Sequence, residues 1–252
     1  TTTELDIGVL RRILELVGRT NAMDGRPLSE GGPVGLPADL MAMKTAALLA
    51  EGEYVNLGIG LPTMVSNYVA GRDIVLHAEN GILGYGGFPP EGEEDVDLYN
   101  ASGQLVTPIP GTAYFDSTVS FAMARSGRVS TIILGAFQVA ENGDLANWSA
   151  GSATRTGGIG GAMDLAAGGG RVIALCYQRE RGGRSKLVER LAYPATARGC
   201  VKSVVTDLAW IDVDAHGFVL REIAPGLSVE DVVHATGASL RVPADVREMQ
   251  FG

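Results

Sequence analysis

The stretch with the most chemical content lies between residues 76 and 84. The preceding segment, 73–76, ends in three apolar residues with the composition of a buried β-strand, and Glu79, Asn80 and Gly81 follow shortly after it. A strand that ends in this way delivers a side chain into a cleft at its carboxyl end. The Glu79 carboxylate is therefore the first candidate for a reactive group.

A second segment, 54–63, reads as a strand that runs into a glycine turn and then a helix. It superficially resembles a dinucleotide-binding fingerprint, but the third glycine is missing and Pro62 occupies the helix start. We expect the strand at 74–76 to pair with it in parallel, since a βαβ unit connects them. Asn56 and Glu79 would then face the same crevice.

A glycine-rich segment at 157–165 offers the complementary chemistry. Gly160 and Gly161 lie just before a short predicted helix, where free backbone N–H groups can point at a developing negative charge. Such a segment suits an oxyanion hole or a phosphate nest. The alternative interpretation, that this segment is a mobile linker, is weaker because a regular element is predicted directly after the glycines.

Other chemistries find less support. No GxSxG nucleophile elbow occurs, and the three histidines, His77, His216 and His234, have no visible partners. Neither a second carboxylate for a glycosidase nor a P-loop or kinase motif is recognisable. The acidic run at 91–97 lacks the spacing of a calcium loop and reads as a solvated turn, so no metal is expected. A lone carboxylate, an amide and a glycine nest suit covalent catalysis on an acyl group.

Composition narrows the class of protein. The net charge of -9 leaves no basic face for nucleic acid or an anionic membrane. The apolar runs are too short to span a bilayer, and no basic segment leads into an apolar one at the amino terminus. Cys176 and Cys200 form no CxxC pair, which argues against a disulfide framework or zinc site. We expect a soluble, cytoplasmic protein.

The elements that must position these residues alternate between helix and strand. A helical apolar stripe over 4–17 and a glycine- and proline-rich arm over 18–37 form a predicted amino-terminal extension, 1–37. Residues 38–252 form the predicted main domain, beginning with a helix over 38–50. The fold class is α/β, with an open, largely parallel sheet sandwiched by helices. Further strands are expected at 104–108, 129–136, 171–176, 201–206, 208–212 and 218–223, and further helices at 117–124 and 228–235.

The run from Leu76 to Gly84 closely resembles the active-site signature of the class I CoA-transferases of the succinyl-CoA:3-oxoacid type. Three more segments resemble motifs of that family in the correct order, namely 55–60, 143–148 and 160–165. The resemblance covers residues 38–240 and fits the β (B) subunit, because the glycine-rich signature of the α subunit is missing.

The resemblance implies a function and roles for the residues. Glu79 would be the nucleophile that carries CoA as a glutamyl thioester, with oxyanion stabilisation by Gly161, its neighbour Gly160 and the Asn56 amide. CoA would be a substrate and covalent intermediate, and no cofactor would be permanently bound. The partner would be an α subunit, in an α2β2 assembly. The donor would be succinyl-CoA, and the acceptor 3-oxoadipate or acetoacetate, with 3-oxoadipate favoured.

The sequence departs from the family pattern at a few positions. Ala78 stands where the usual signature has Ser, and 177–178 and 149–156 also differ. Two other functions remain open on the same residues. One is a CoA-ester or ring-opening hydrolase in which Glu79 activates water, and the other is a non-catalytic partner subunit.

Overall fold

The computed structural model describes residues 34–150 and 158–251. The helix expected over 4–17, and the arm up to residue 33, lie outside the described residues. The helices are α1 (Ala38–Ala47), α2 (Ser117–Arg125), α3 (Ala162–Ala167) and α4 (Val229–Ala235), with a 3-10 helix at Leu61–Tyr68. The strands are β1 (Glu53–Leu57), β2 (Ile74–Ala78), β3 (Ile82–Tyr85), β4 (Pro108–Tyr114), β5 (Thr131–Leu134), β6 (Gln138–Ala140), β7 (Leu145–Ala146), β8 (Arg171–Leu175), β9 (Leu187–Val188), β10 (Val201–Val205), β11 (Ala209–Asp214), β12 (Gly217–Ile223), β13 (Leu240–Arg241) and β14 (Arg247–Glu248).

Most strands form one large sheet, in the order β13-β12-β11-β10-β8-β5-β1-β2-β3-β4, with β14 beside β12. The five central strands, from β10 to β2, are all parallel, while antiparallel pairs extend the sheet on both sides. Strand β5 is buried at every position, as expected of a strand covered on both faces. The open, largely parallel sheet predicted from the sequence is therefore confirmed. Strands β6, β7 and β9 form a separate small sheet.

The direction of the chain reverses near the middle of the sheet. From β1 it crosses through the 3-10 helix to β2 on one side, and from β5 it crosses through α3 to β8 on the other. Right-handed crossovers in opposite directions place their helices on opposite faces of the sheet. Accordingly α1 packs with the 3-10 helix, and α2 packs with α3. The carboxyl ends of β1 and β5 thus meet at a topological switch point, where α/β proteins bind ligands.

Two elements differ from the sequence-based prediction. The helix after the Gly60 turn is a 3-10 helix, in which the Thr63 hydroxyl donates to the Gly60 carbonyl and the Ser66 hydroxyl donates to the Thr63 carbonyl. These bonds to carbonyls three residues back suit the tighter helix. The strand expected at 104–108 is wrong, since Leu105 makes only an isolated bridge and β4 begins at Pro108.

A buried ion pair joins α1 to β12, the second strand from one end of the large sheet. Lys44 on α1 donates to Glu222 on β12, and both side chains are at most 4% exposed. The Lys44 ammonium also donates to the Gln250 carbonyl at 3.0 Å and lies 4.9 Å from the centre of the Trp210 ring. Arg247 on β14 forms a second ion pair with Glu222. These contacts offset the free-energy cost of removing the Lys44 ammonium from water.

Candidate active site

Glu79 directly follows β2 and lines a cavity of about 390 Å³ at the carboxyl edge of the parallel strands. The segments after β1, β5 and β8 supply other walls through Gly58, Ala136 and Cys176. The glycine segment before α3 closes another side, from residue 158 to residue 162. The sequence-based prediction that Glu79 projects into a cleft at a strand end agrees with this geometry.

The surroundings of Glu79 act on its carboxylate in two opposing ways. The side chain is half-buried, and this desolvation raises the pKa of Glu79. The backbone N–H of Gly161 donates a hydrogen bond to the carboxylate, which lowers the pKa in part. A partly dehydrated carboxylate beside a fixed N–H donor is a group prepared for chemistry on an electrophile.

A side chain at position 161 would displace the neighbouring groups. A Cβ built there would lie 2.4 Å from two ring carbons of Phe121 on α2 and 2.8 Å from Oε2 of Glu79. The backbone itself is not strained, since φ is -89°. Gly160, with φ of +52°, also lies near the carboxylate, where a Cβ would be 3.9 Å from Oε1. Both predicted glycines therefore lie next to Glu79.

Asn56 occupies a different position from the other predicted residues. It is fully buried in β1 and does not line the cavity. Its Nδ2 donates to Nδ1 of His77 at 2.9 Å and to the His77 carbonyl at 3.2 Å, and its Oδ1 has no partner among the described residues. The oxyanion role of Asn56 stays a prediction, because the amide is engaged by the neighbouring strand.

His77 is a core histidine rather than a free base. Because Asn56 donates to Nδ1, the ring proton lies on Nε2, which contacts the Ser120 hydroxyl at 3.0 Å. Burial lowers the pKa of His77 to about 4, so the ring is neutral at pH 7. Ser120 lies 3.5 Å from the Ala78 carbonyl, the residue just before Glu79. This chain of polar groups links α2 and β1 to the backbone that carries the carboxylate.

Several residues that line the cavity were not singled out as site residues from the sequence. Phe137, Cys176 and Lys186 are examples, whereas Tyr177, which also lines the cavity, is one of the positions that depart from the family pattern. Burial raises the pKa of Cys176, so its thiol is protonated at pH 7. In the sequence, Lys186 lies at the end of the charged segment 179–186, and no local pattern there predicts the pairing of β6 with β9 that brings it to the cavity.

Neither a metal site nor a membrane span is found in the part of the chain that the structure describes. No group of three or more histidine, cysteine or acidic side chains there could hold a metal ion. Across the same residues, no helix is both long and apolar enough to cross a membrane.

Fold and site together define an α/β protein with one carboxylate presented in a cavity at the sheet's switch point. The family model described as Coenzyme A transferase matches residues 40–235. The chain is 45% identical over 206 residues to the B subunit of 3-oxoadipate CoA-transferase from Acinetobacter baylyi, covering 81% of this chain and 95% of that relative. It is 43% identical over 199 residues to the B subunit of succinyl-CoA:3-ketoacid coenzyme A transferase from Helicobacter pylori, covering 79% and 96%.

The chain belongs to the coenzyme A transferase family, and it is an enzyme of the CoA-transferase class. Among solved structures, a variant of the decarboxylase AibA/AibB has the same fold, with a TM-score of 0.65 and 22% identity over 84% of this chain and 88% of that one. At such low identity the likeness concerns the fold and not the reaction, because one fold hosts many chemistries. The family resemblance read from the sequence is confirmed.

Proposed function

We propose that the protein transfers CoA from succinyl-CoA to a 3-oxoacid, either 3-oxoadipate or acetoacetate, through a thioester on Glu79. The observation that carries the proposal is the half-buried Glu79 carboxylate, which receives the Gly161 N–H inside a cavity of about 390 Å³. Relatives with 45% and 43% identity carry matching names for the reaction. The volume suits a small acyl group and the thiol end of CoA.

The reaction proceeds through two half-reactions, each of which consists of two acyl transfers. The Glu79 carboxylate attacks the donor thioester carbonyl, which forms a mixed anhydride and releases the CoA thiolate. The thiolate then attacks the glutamyl carbonyl, which forms the enzyme thioester and releases the donor acid. The acceptor carboxylate attacks this thioester, and the freed thiolate attacks the acceptor's acyl carbonyl to restore Glu79. The covalent intermediates thus divide one difficult exchange of CoA into several easier acyl transfers.

The glycine segment stabilises the charge that develops. The Gly161 N–H already points at the carboxylate and can hold the oxyanion of each tetrahedral intermediate. Removal of one such donor typically costs about 10²–10³ in rate. Gly160 allows the close approach of the loop to Glu79, since its φ is +52°. Asn56, the second proposed donor, would need to exchange its bond to His77 for one to the substrate.

A second polypeptide is part of the proposal. The relatives of matching length are named as B subunits, and we infer an α subunit that completes the CoA site, in an α2β2 assembly located in the cytoplasm. Closure of the site by a partner would also exclude water, which would otherwise hydrolyse the anhydride or the thioester.

The experiment that tests the proposal is intact-mass analysis of the complex after exposure to succinyl-CoA without acceptor. The wild-type chain should gain the mass of CoA and release succinate. Glu79→Gln should gain nothing while it keeps the wild-type melting temperature. Glu93→Gln, in an exposed turn, is the matched control and should be labelled normally.

Two outcomes would contradict the proposal. Steady hydrolysis of succinyl-CoA without acceptor, with no labelled chain, would indicate that Glu79 activates water. Binding of CoA without labelling or turnover would indicate a non-catalytic subunit.

A further inference from the structure

The cavity is lined by one basic residue in addition to the acidic Glu79. Among the described residues that line it, Glu79 is the only acidic residue and Lys186 the only basic one. The chain has three lysines in all. Lys44 is paired with Glu222, and Lys202 lies exposed with its ammonium 3.1 Å from the Gly199 carbonyl. Lys186 is the one that faces the cavity.

The position of Lys186 is fixed by its backbone as well as by its side chain. Its N–H donates to the Gln178 carbonyl at 2.9 Å, and its carbonyl accepts from the N–H of Val139 on β6, also at 2.9 Å. The ammonium donates to the carbonyl of Ala136, which lines the same cavity, at 2.9 Å. A cation held on paired strands in this way is placed as accurately as a binding residue requires.

Among the described residues, the Lys186 ammonium has no counter-ion. Within residues 34–150 and 158–251, no carboxylate lies within ion-pair distance of it. The side chain is half-buried and has one neutral acceptor, so two of its three N–H bonds remain for another partner. Partial removal of a charge from water is costly unless an opposite charge compensates it. An anionic group of a ligand would provide that compensation.

The distance to Glu79 determines which ligand fits. Ala136, which anchors the ammonium, follows β5, whereas Glu79 follows β2, and β1 lies between them. The ends of β5 and β2 are therefore two inter-strand spacings apart, which is about 10 Å. The cavity is also lined by apolar side chains, including Leu134 and Ile59. A molecule that bridges the cavity therefore needs a reactive carboxyl group at one end, a short carbon chain, and an anion at the other.

We propose that Lys186 binds the second carboxylate of a dicarboxylic acyl group whose first carboxyl group reacts at Glu79. The proposal rests on the proposed function and deepens it. It makes Lys186 a specificity-determining residue that selects succinyl and 3-oxoadipyl groups over acyl groups with a neutral end. Acetoacetate, which has no second carboxylate, is then the poorer of the two acceptors.

The test uses the complex with the α subunit and measures kcat/KM for two acceptors, 3-oxoadipate and acetoacetate. In a ping-pong reaction this constant reports the half-reaction with the acceptor and is independent of the donor. Lys186→Met should lower the value for 3-oxoadipate by roughly 10- to 100-fold, the usual range for loss of a charged hydrogen bond, and change that for acetoacetate little. Lys186→Arg should keep part of the preference, and Lys202→Met should behave as wild type.

Equal losses for both acceptors, or an unchanged ratio, would overturn the assignment. The wild-type complex alone gives a second test, because it should use succinate as an acceptor in preference to the monoamide of succinic acid. An equal rate for the two acids would also refute the proposal.

A failure of the proposed function can be told apart from a failure of this assignment. If the wild-type complex transfers no CoA, calorimetry can still measure how tightly it binds succinate and butyrate, and this comparison tests the carboxylate site at Lys186. Preference for succinate in wild type and its loss in Lys186→Met would support the carboxylate site alone. Equal binding of the two acids would reject it.

Discussion

The contact between Gly161, Phe121 and Glu79 gives the sharpest test of the active-site geometry. In Gly161→Ala the new Cβ would lie 2.4 Å from the Phe121 ring and 2.8 Å from the Glu79 carboxylate. Non-bonded carbons prefer separations of about 3.5–4.0 Å, so the ring, the carboxylate or the start of α3 must move by roughly 1 Å. The N–H of residue 161 is retained, so the substitution tests position rather than the loss of a donor.

The expected effect is large on rate and moderate on stability. A displacement of about 1 Å of a reacting group costs about 10²-fold, so kcat for CoA transfer should fall about 100-fold. Overpacking typically costs about 1–3 kcal/mol in the free energy of unfolding. Steady-state assays of the complex with the α subunit and urea denaturation of the chain measure the two quantities separately.

Two variants control this prediction. Gly158→Ala changes the same loop, but its Cβ would meet nothing among the described residues within 4 Å, so activity should stay near wild type. Addition of Phe121→Ala to Gly161→Ala removes the ring contact and should restore part of the rate. The reasoning fails if Gly161→Ala is as active as Gly158→Ala, to within about threefold.

Three further predictions concern stability. Because the pKa of His77 falls from 6.5 to about 4, the unfolded chain binds more protons in that pH window. The wild-type free energy of unfolding should therefore drop by up to about 3 kcal/mol as the pH falls from 6.5 to 4, and His77→Gln should lack this component in urea titrations. Glu222→Gln leaves Lys44 buried without its carboxylate and should cost about 3–5 kcal/mol in chemical denaturation. Gly81→Ala should lower the melting temperature, because Gly81 has φ of +119° and its Cβ would lie 2.0 Å from the Phe115 carbonyl oxygen.

Each of these has a matched comparison. The pH dependence of His77→Gln is compared with that of wild type, and parallel curves would contradict the assigned pKa. Asp164→Asn removes the exposed pair with Arg125 and should cost less than about 1 kcal/mol. Gly52→Ala also has a positive φ, but its Cβ is free of described neighbours, so it should cost only about 1–2 kcal/mol. A Gly81→Ala chain as stable as Gly52→Ala would contradict the steric argument.

The sequence was sufficient for the parts of the fold that depend on local patterns. The apolar segments that became β1, β2, β5 and β8 indicated a parallel sheet, and the place of Glu79 after β2 followed from the strand boundary. The helix expected over 228–235 is α4, and Ser228 and Asp231, three residues apart, form a capping box at its start. Each of these depends on neighbouring residues, where composition and spacing carry the physical signal.

The remaining features depend on contacts between distant residues. Strand β4 contains Pro108, Pro110 and Gly111 and is mostly exposed, so it lacks the pattern of a strand and forms only because β3 pairs with it. The engagement of Asn56 by His77 requires the β1–β2 register. Lys186 reaches the cavity through the pairing of β6 with β9, and the spacing of residues in the sequence does not predict which distant strands will pair.

The ion pair between Lys44 and Glu222 also bears on how the chain folds during synthesis. The two residues are 178 positions apart, and the Gln250 carbonyl that accepts from the same ammonium lies 206 positions after Lys44. A nascent chain that has emerged from the ribosome only through β8 therefore holds α1 with its lysine uncompensated. The Lys44 side chain can reach its final partners only after β12 and the segment around β14 have been translated, so this ion pair should form late, after α1 has packed with the 3-10 helix.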